Sequence, residues 1–362
     1  MLLKNGDRDV LQFSIEDCYL KVINNQFLPY ELKDYVKTTD FSSPDKIKES
    51  LKYIEVLKDF LASRTLTLTR DNAKAILRSV GLPQSSRITE RIRITLACNA
   101  LNMTDNFWVT EEEDKRKFSD VCLRNNHLGD VAYQISILSK CISATLEEME
   151  PDLMTDGMFP KTWHRSENGI ELWKTDKSSG NINTVEEQKV SDLLEFTNVK
   201  HVKYKSFQKD GRLLVKCSCL ASDRYSIINA FSLNDWCIHT GRELLHVLEK
   251  DFIVDFAKMC VIDYIIANTD RHLGNINFFV DNETNMVVGM TPLFDHNQAL
   301  VADEIGADID KLVYDATNLT MLETAKKYYS KSSLEIEIEK FPKECQQRWE
   351  QIIELQNMGY KR

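Results

Sequence analysis

An α+β fold of two lobes, a β-rich small lobe and a mainly helical large lobe behind an N-terminal mixed α/β accessory region, follows from three features of this 362-residue sequence. Residues 163–174 and 201–220 read as two β-hairpins with a helix between them. From about residue 226 helical patterns dominate, interrupted by a strand pair at 276–280 and 286–290. Before residue 150, strand-like alternation gives way to helical periodicity. The boundaries that result are 1–150 for the accessory region, 151–225 for the small lobe and 226–362 for the large lobe.

Within the accessory region, Val10, Leu11, Phe13 and Ile15, then Tyr19, Leu20, Val22 and Ile23, alternate as a small hairpin before Leu28 and Pro29. Ser43 and Pro44 open a helix whose apolar residues Ile47, Leu51, Ile54, Leu57 and Leu61 recur at steps of three and four. Residues 71–80 repeat that periodicity up to Gly81. Arg64, Arg70, Lys74, Arg78, Arg87, Arg91 and Arg93 outnumber the local acids, the pattern of a surface for RNA, DNA or an acidic partner. No nucleic-acid motif or interleaved aromatics accompany them, so they read as a charged helical surface.

The small lobe begins with a Gly-Pro loop and two strands about a turn at 166–169. A polar loop at 176–183 precedes a helix at 185–196, and a second hairpin turns about residues 209–212. In the large lobe, residues 252–267 are the most apolar long segment. Asp255, Lys258 and Asp263 interrupt it and it is too short to span a bilayer, so it reads as a buried helix.

Composition narrows the function classes. A hydrophobic content of 43% suits a globular chain, and a formal net charge of -10 argues against primary nucleic-acid binding. Nine cysteines without C-x-x-C pairs read as free thiols in a reducing cytoplasm. Residues 1–12 are charged and lack an apolar h-region, so no secretory signal is expected.

Residues 268–275, NTDRHLGN, form a short polar interruption that places Asp270 and Asn275 five positions apart. This is the D-x-x-x-x-N spacing of a kinase catalytic loop, in which the aspartate takes or orients the proton of the attacking hydroxyl and the asparagine oxygen holds magnesium. Hairpin, helix, hairpin is likewise the order of a kinase small lobe. Phosphoryl transfer also needs a lysine on the phosphates, and Lys174 ends a strand where it can reach a nucleotide lying under the loop 155–161. Of Glu186 and Glu187 on the next helix, Glu187 is favoured as partner of the lysine, because its spacing from Leu193 and Leu194 puts it on the inward face. Asp295, after an apolar residue and beyond the hairpin that follows the loop, is the expected second magnesium ligand. Arg271 and His272 brace the loop, with the His272 backbone placed against the nucleotide.

Other chemistries lack their signatures. The turn at 281–285 superficially resembles a calcium loop but has Met286 where glycine is required. No G-x-S-x-G elbow, Walker A loop or G-x-G-x-x-G is present.

Gly157, Met158, Phe159, Pro160 and Lys161, with Lys174, the NTDRHLGN run and Leu293, Phe294 and Asp295, resemble the HipA-like serine/threonine kinases, bacterial atypical kinases related to toxin–antitoxin toxins. The resemblance covers nearly the whole chain and is strongest after residue 155, in the branch with a divergent N-terminal region. It implies ATP- and magnesium-dependent (or manganese-dependent) phosphorylation of a protein serine or threonine. Asp270 would be the catalytic base, Asn275 and Asp295 the metal ligands and Lys174 the phosphate-binding lysine. Cys217, Ser218, Cys219 and Leu220 would form the hinge to adenine, and the loop 155–161 would cover the phosphates through backbone N–H groups. It further implies a small helix-turn-helix antitoxin-like partner, no membrane association, and autophosphorylation near the loop, with Thr155 the nearest hydroxyl. His296 and Asn297 after Asp295, where a glycine is usual, depart from the kinase pattern. The alternatives are a phosphatidylinositol-kinase-like lipid kinase, a pseudokinase interaction module and a secreted host-directed effector kinase.

Overall fold

The computed structural model describes residues 1–125, 128–155, 157–176, 182–302 and 306–359. Asp156 of the expected phosphate loop and residues 177–181 of the polar loop lie outside them.

Strands β1 (Leu2–Asn5), β2 (Arg8–Ser14) and β3 (Tyr19–Val22) form an antiparallel meander. A further strand, β4 (Phe107–Thr110), pairs with β1, giving the sheet order β3-β2-β1-β4. The hairpin expected from alternation is β2 with β3. Strands β1 and β4 are four residues each, too short to display a period, and every residue of β4 is buried, which erases alternation altogether. Helix α1 (Pro44–Ser63) covers this sheet. The Ser43 side chain accepts from the Lys46 N–H and Pro44 takes the first turn, where its missing N–H costs nothing. Ile54, Leu57 and Leu61 enter the core with Leu3, Leu11 and Phe13, whereas Ile47 and Leu51 of the same apolar series are solvent-exposed. Short helices α2 (Ala73–Ser79), α3 (Ile88–Ala97), α4 (Phe118–Val121), α5 (Asp130–Ser136) and α6 (Leu146–Leu153) complete this region.

The small-lobe sheet runs β5-β6-β8-β7, from β5 (Lys161–Ser166), β6 (Gly169–Lys174), β7 (Lys205–Lys209) and β8 (Arg212–Ser218). Helix α7 (Ile182–Leu194) connects β6 to β7 and buries Val190 and Leu194. In the large lobe, β9 (Tyr225–Asn229) leads into α8 (Ala230–His239), α9 (Leu244–Asp251) and α10 (Ile253–Ile265). Strands β10 (Asn277–Asp281) and β11 (Met286–Met290) make the expected pair, and β9 adds to it on the β10 side. Strands β12 (Val313–Tyr314) and β13 (Leu319–Thr320) and helices α11 (Met321–Ser332) and α12 (Lys343–Gly359) close the chain. Helix α10 is buried from Phe256 to Ile265 apart from Lys258, so the large lobe is organised around it. Among the described residues, no helix is long and apolar enough to cross a membrane.

The accessory region docks on the large lobe at the turn between β10 and β11. Asn285, which is buried there, donates from its amide to the carbonyls of Gln26 and Leu28, both at 2.9 Å. Its own carbonyl accepts from Lys33 at 3.1 Å and Tyr30 at 3.4 Å. The turn that superficially resembles a calcium loop is thus a docking knuckle.

Inside the accessory region, Arg64 makes a two-pronged pair with Asp105, each contact 2.9 Å, and donates to the carbonyls of Ala100 and Phe107. Its side chain is 5% exposed, so loss of the carboxylate strands a cation away from water. Asp105→Ala is expected to destabilise the protein by about 3–5 kcal/mol in urea denaturation, and a change below about 1 kcal/mol would show that the pair is not a buried one.

Candidate active site

The site is built where α10 ends. Ala267, at φ +51°, stops the helix in the left-handed region, and the Asn268 N–H returns to the Asp263 carbonyl at 2.8 Å. Asp263 stays buried in the last turn and accepts at one oxygen from the Asn268 amide at 2.9 Å. Its other oxygen accepts from Tyr314 at 2.7 Å and from Arg271 at 2.9 Å, and the Asp263 and Arg271 side chains are both 0% exposed. Arg271 also donates to the carbonyls of Asn275 and Phe294, at 2.6 and 3.0 Å, and lies 3.0 Å from His296 Nε2. Burial, and then the Arg271 charge, push His296 well below the ordinary histidine range, leaving a neutral ring whose Nε2 can accept that bond. One guanidinium therefore ties the loop of Asp270 to the segment of Asp295.

On this frame Asp270 is half-buried, and its carboxyl is pushed above the ordinary aspartate range by burial, with His272 opposing and Asp295 adding to the shift. The Asn275 amide nitrogen donates to the Asp270 carbonyl at 3.0 Å, so the amide oxygen is the end turned away from that bond. The His272 ring accepts the Gly274 N–H at 3.0 Å and stacks beside the half-exposed Phe231. That ring braces the turn through its Nδ1.

Lys174, at the end of β6, extends into the cleft. Its ammonium lies 2.7 Å from Glu187 Oε1 on α7 and 2.9 Å from Asp295 Oδ1. Burial alone would weaken the ammonium's hold on its proton, but Asp295 and Glu187 raise it well above the ordinary lysine value. For Asp295, burial would raise the carboxyl, yet Lys174, Lys161 and Arg271 hold it well below the usual range. Glu186 is instead paired with Lys189 on the same helix, 3.3 Å away.

The loop residues Gly157, Met158, Phe159, Pro160 and Lys161 arch beside this cluster. Gly157 has φ +103°, and a Cβ there would sit 2.1 Å from Lys161 Nζ, so the lysine folds directly beneath it. Pro160 is buried and its carbonyl accepts the Thr175 N–H at 3.1 Å; Met158 is exposed, with its carbonyl held by the Asp71 N–H at 2.9 Å. Phe159 is half-buried. Thr155 is half-buried. Its hydroxyl donates to the Pro151 carbonyl at 2.6 Å and receives the Trp163 indole N–H at 2.7 Å.

At the expected hinge, Leu172 pairs with Cys217 and Glu171 with Ser218, and the Cys219 N–H is bonded to the Ile170 carbonyl at 2.8 Å. Cys219 is therefore unable to offer that N–H to adenine, a correction to the four-residue hinge. Strand alternation turns the backbone groups of Ser218 to the side away from β6. Cys217 and Leu220 pack on the cluster of Val202, Tyr204 and Val215.

Three contributors were not legible as such in the sequence. Asp263 registers only as a charge interrupting an apolar helix, a signal that in hindsight marks a buried anion awaiting a cation. Tyr204 has no local signature, yet its hydroxyl accepts the Asp295 N–H at 3.3 Å. Arg70, read as part of a charged surface, is buried, and donates to the carbonyls of Asp152, Thr155 and Lys161 at 2.6, 2.8 and 2.5 Å. It clamps both ends of the phosphate loop from the accessory region.

The donor set suits magnesium. Asn275 and Asp295 offer hard oxygens, and the Asn297 amide, which donates to Asp295 Oδ1 at 3.4 Å, has a buried oxygen with no hydrogen-bond partner among the described residues. Among those residues there is no cluster of three or more His, Cys, Asp or Glu side chains that could hold a metal ion.

Removing the Arg70 clamp should loosen the loop locally. In Arg70→Ala, amide hydrogen exchange across residues 153–162 is expected to accelerate by about tenfold or more, with exchange across α10 unchanged. Equal rates in the two proteins would show that the loop is held by other contacts.

The profile of the family described as "Phosphatidylinositol 3- and 4-kinase" matches residues 96–304. No curated protein matches the chain. Among solved structures, the Shewanella oneidensis MR-1 toxin–antitoxin protein HipA, in complex with HipB and operator DNA, is similar with a TM-score of 0.54 at 10% identity, over 97% of this chain and 87% of that one. A Helicobacter pylori proinflammatory kinase, CtkA, aligns with a TM-score of 0.40 at 15% identity, over 55% of this chain and 87% of its own. The HipA likeness is one of fold, and the family match spans residues 268–275, Lys174 and Asp295. The chain belongs to the phosphatidylinositol 3- and 4-kinase family and has a HipA-like atypical kinase fold.

Proposed function

We propose that this kinase-type phosphotransferase uses ATP and magnesium to phosphorylate a serine or threonine hydroxyl on a protein. The observation that carries the reading is the position of Lys174, within 3 Å of both Glu187 and Asp295 and so bridging the two lobes. Lys174 would hold the α- and β-phosphates, with Glu187 fixing its direction. The acceptor oxygen attacks the γ-phosphorus, the bond to the ADP oxygen breaks, and the hydroxyl proton passes to the Asp270 carboxylate. Asn275 and Asp295 would hold magnesium, with manganese as the substitute, and the ion would offset the negative charge of the phosphates. Lys161 beneath Gly157 adds a second cation on the phosphate side, and Ser218 and Leu220 are the hinge residues whose backbone would meet adenine.

A lipid hydroxyl as acceptor is the second reading, favoured by the description of the matched family. Against it stands the net charge of -10, which does not suit an anionic membrane surface. The fold likeness to HipA, described in complex with HipB and DNA, supports a small helix-turn-helix partner as part of the reading; flanking reading frames without such a protein would count against it.

Transfer from radiolabelled ATP to a protein fraction and to phosphatidylinositol vesicles, wild type against Asp270→Asn, tests the proposal. Protein labelling that falls by about 10²–10⁴-fold in the variant is expected. Labelling of lipid alone would overturn the protein acceptor, and no labelling of either would overturn the kinase reading. The pH profile is a second check. Because burial raises Asp270, its base form is lost as pH falls through a value above the ordinary aspartate range. The acid limb of kcat/KM is expected there, and a limb at or below the ordinary range would remove Asp270 as the base.

A further inference from the structure

We infer that Tyr204 is a positioning residue of this site, its hydroxyl holding the Asp295 backbone while its ring faces the Lys174 ammonium that pairs with Asp295 and Glu187; the inference rests on the kinase reading above. Tyr204 lies between α7 and β7, on a segment that bridges the lobes. His201 pairs in parallel with Leu293, the Val202 N–H donates to the Leu293 carbonyl at 2.8 Å, and the Leu293 N–H donates to the Lys200 carbonyl at 2.9 Å. The Tyr204 backbone is tied in turn to α7, its N–H donating to the Ser191 hydroxyl at 3.0 Å.

Tyr204 is 5% exposed and faces Asp295 and Lys174. Its oxygen accepts the Asp295 N–H at 3.3 Å, and Lys174 Nζ lies 5.3 Å from the ring centroid. A phenol oxygen can accept a hydrogen bond, and here it meets the Asp295 N–H. Phenylalanine would keep the ring under the ammonium and leave the Asp295 N–H without that partner. Asp295, at φ +58°, needs such a restraint, since a non-glycine residue holds the left-handed region only when its neighbours fix it.

The test is a double-mutant cycle on the full chain with Tyr204→Phe, Glu187→Gln and the double variant. Its readouts are affinity for a fluorescent ATP analogue with magnesium, and kcat against KM for ATP. Tyr204→Phe is expected to weaken nucleotide binding by about fivefold and lower kcat by about tenfold, with a melting temperature close to wild type. The double variant is expected to bind no more weakly than Glu187→Gln alone, because both side chains act through Lys174. Affinity and kcat within about twofold of wild type, or losses that multiply in the double variant, would overturn the inference. Should Tyr204→Phe not fold, Ser191→Ala, which releases the Tyr204 backbone, is expected to weaken nucleotide binding; unchanged affinity there overturns it equally. Wild type that binds the analogue but transfers no phosphoryl group overturns the kinase reading, while the affinity cycle still decides the role of Tyr204.

Discussion

A fully buried guanidinium and carboxylate, Arg271 against Asp263, set the terms for the rest of the site. Charges removed from water must meet every donor and acceptor they carry, or the fold loses several kcal/mol. Asp263 meets this demand with Asn268, Arg271 and Tyr314, and Arg271 with the carbonyls of Asn275 and Phe294 and the neutral ring of His296. Those partners are the flanks of Asp270, Asn275 and Asp295. The positions of the candidate catalytic groups are thus consequences of satisfying one buried ion pair.

The same logic of buried donors meeting backbone carbonyls joins the accessory region to the lobes. Asn285 is gripped by the 26–33 segment, and Arg70 grips residues 152, 155 and 161. The accessory region therefore touches the large lobe at its hairpin and the phosphate loop at both ends. A change in how it sits would be transmitted to the loop through Arg70 rather than through the apolar core.

Much of the site can be read in one dimension because its chemistry is spaced along the chain. Asp270 and Asn275 share a loop, Lys174 ends a strand, and Asp295 follows a hairpin. Glu187 could be separated from Glu186 by helical phase, and the chain brings it 2.7 Å from Lys174. The fold class was legible for the same reason, since hairpins and amphipathic helices leave periodic traces. Strand β1 was missed because four residues are too few to show a period, β4 because every residue is buried, and β9 because its partner β10 is remote. The exposed Ile47 and Leu51 show the converse error, in which correct periodicity overstates the buried face.

By itself the sequence determined the kinase-type fold and the order of its candidate site residues along the chain: Lys174 at a strand end, Asp270 and Asn275 in one loop, Asp295 after a hairpin, among alternating hairpins and helices. The tertiary structure alone decided which polar groups are buried and what satisfies them. Arg70 became a clamp and Asp263 an anchor; Tyr204 became a support for the Asp295 backbone, while the Cys219 N–H was withdrawn from the hinge. The physical reason is that local propensity acts over a few neighbouring residues. Satisfying a buried charge or hydroxyl draws on atoms tens or hundreds of positions away, and no spacing along the chain records that distance.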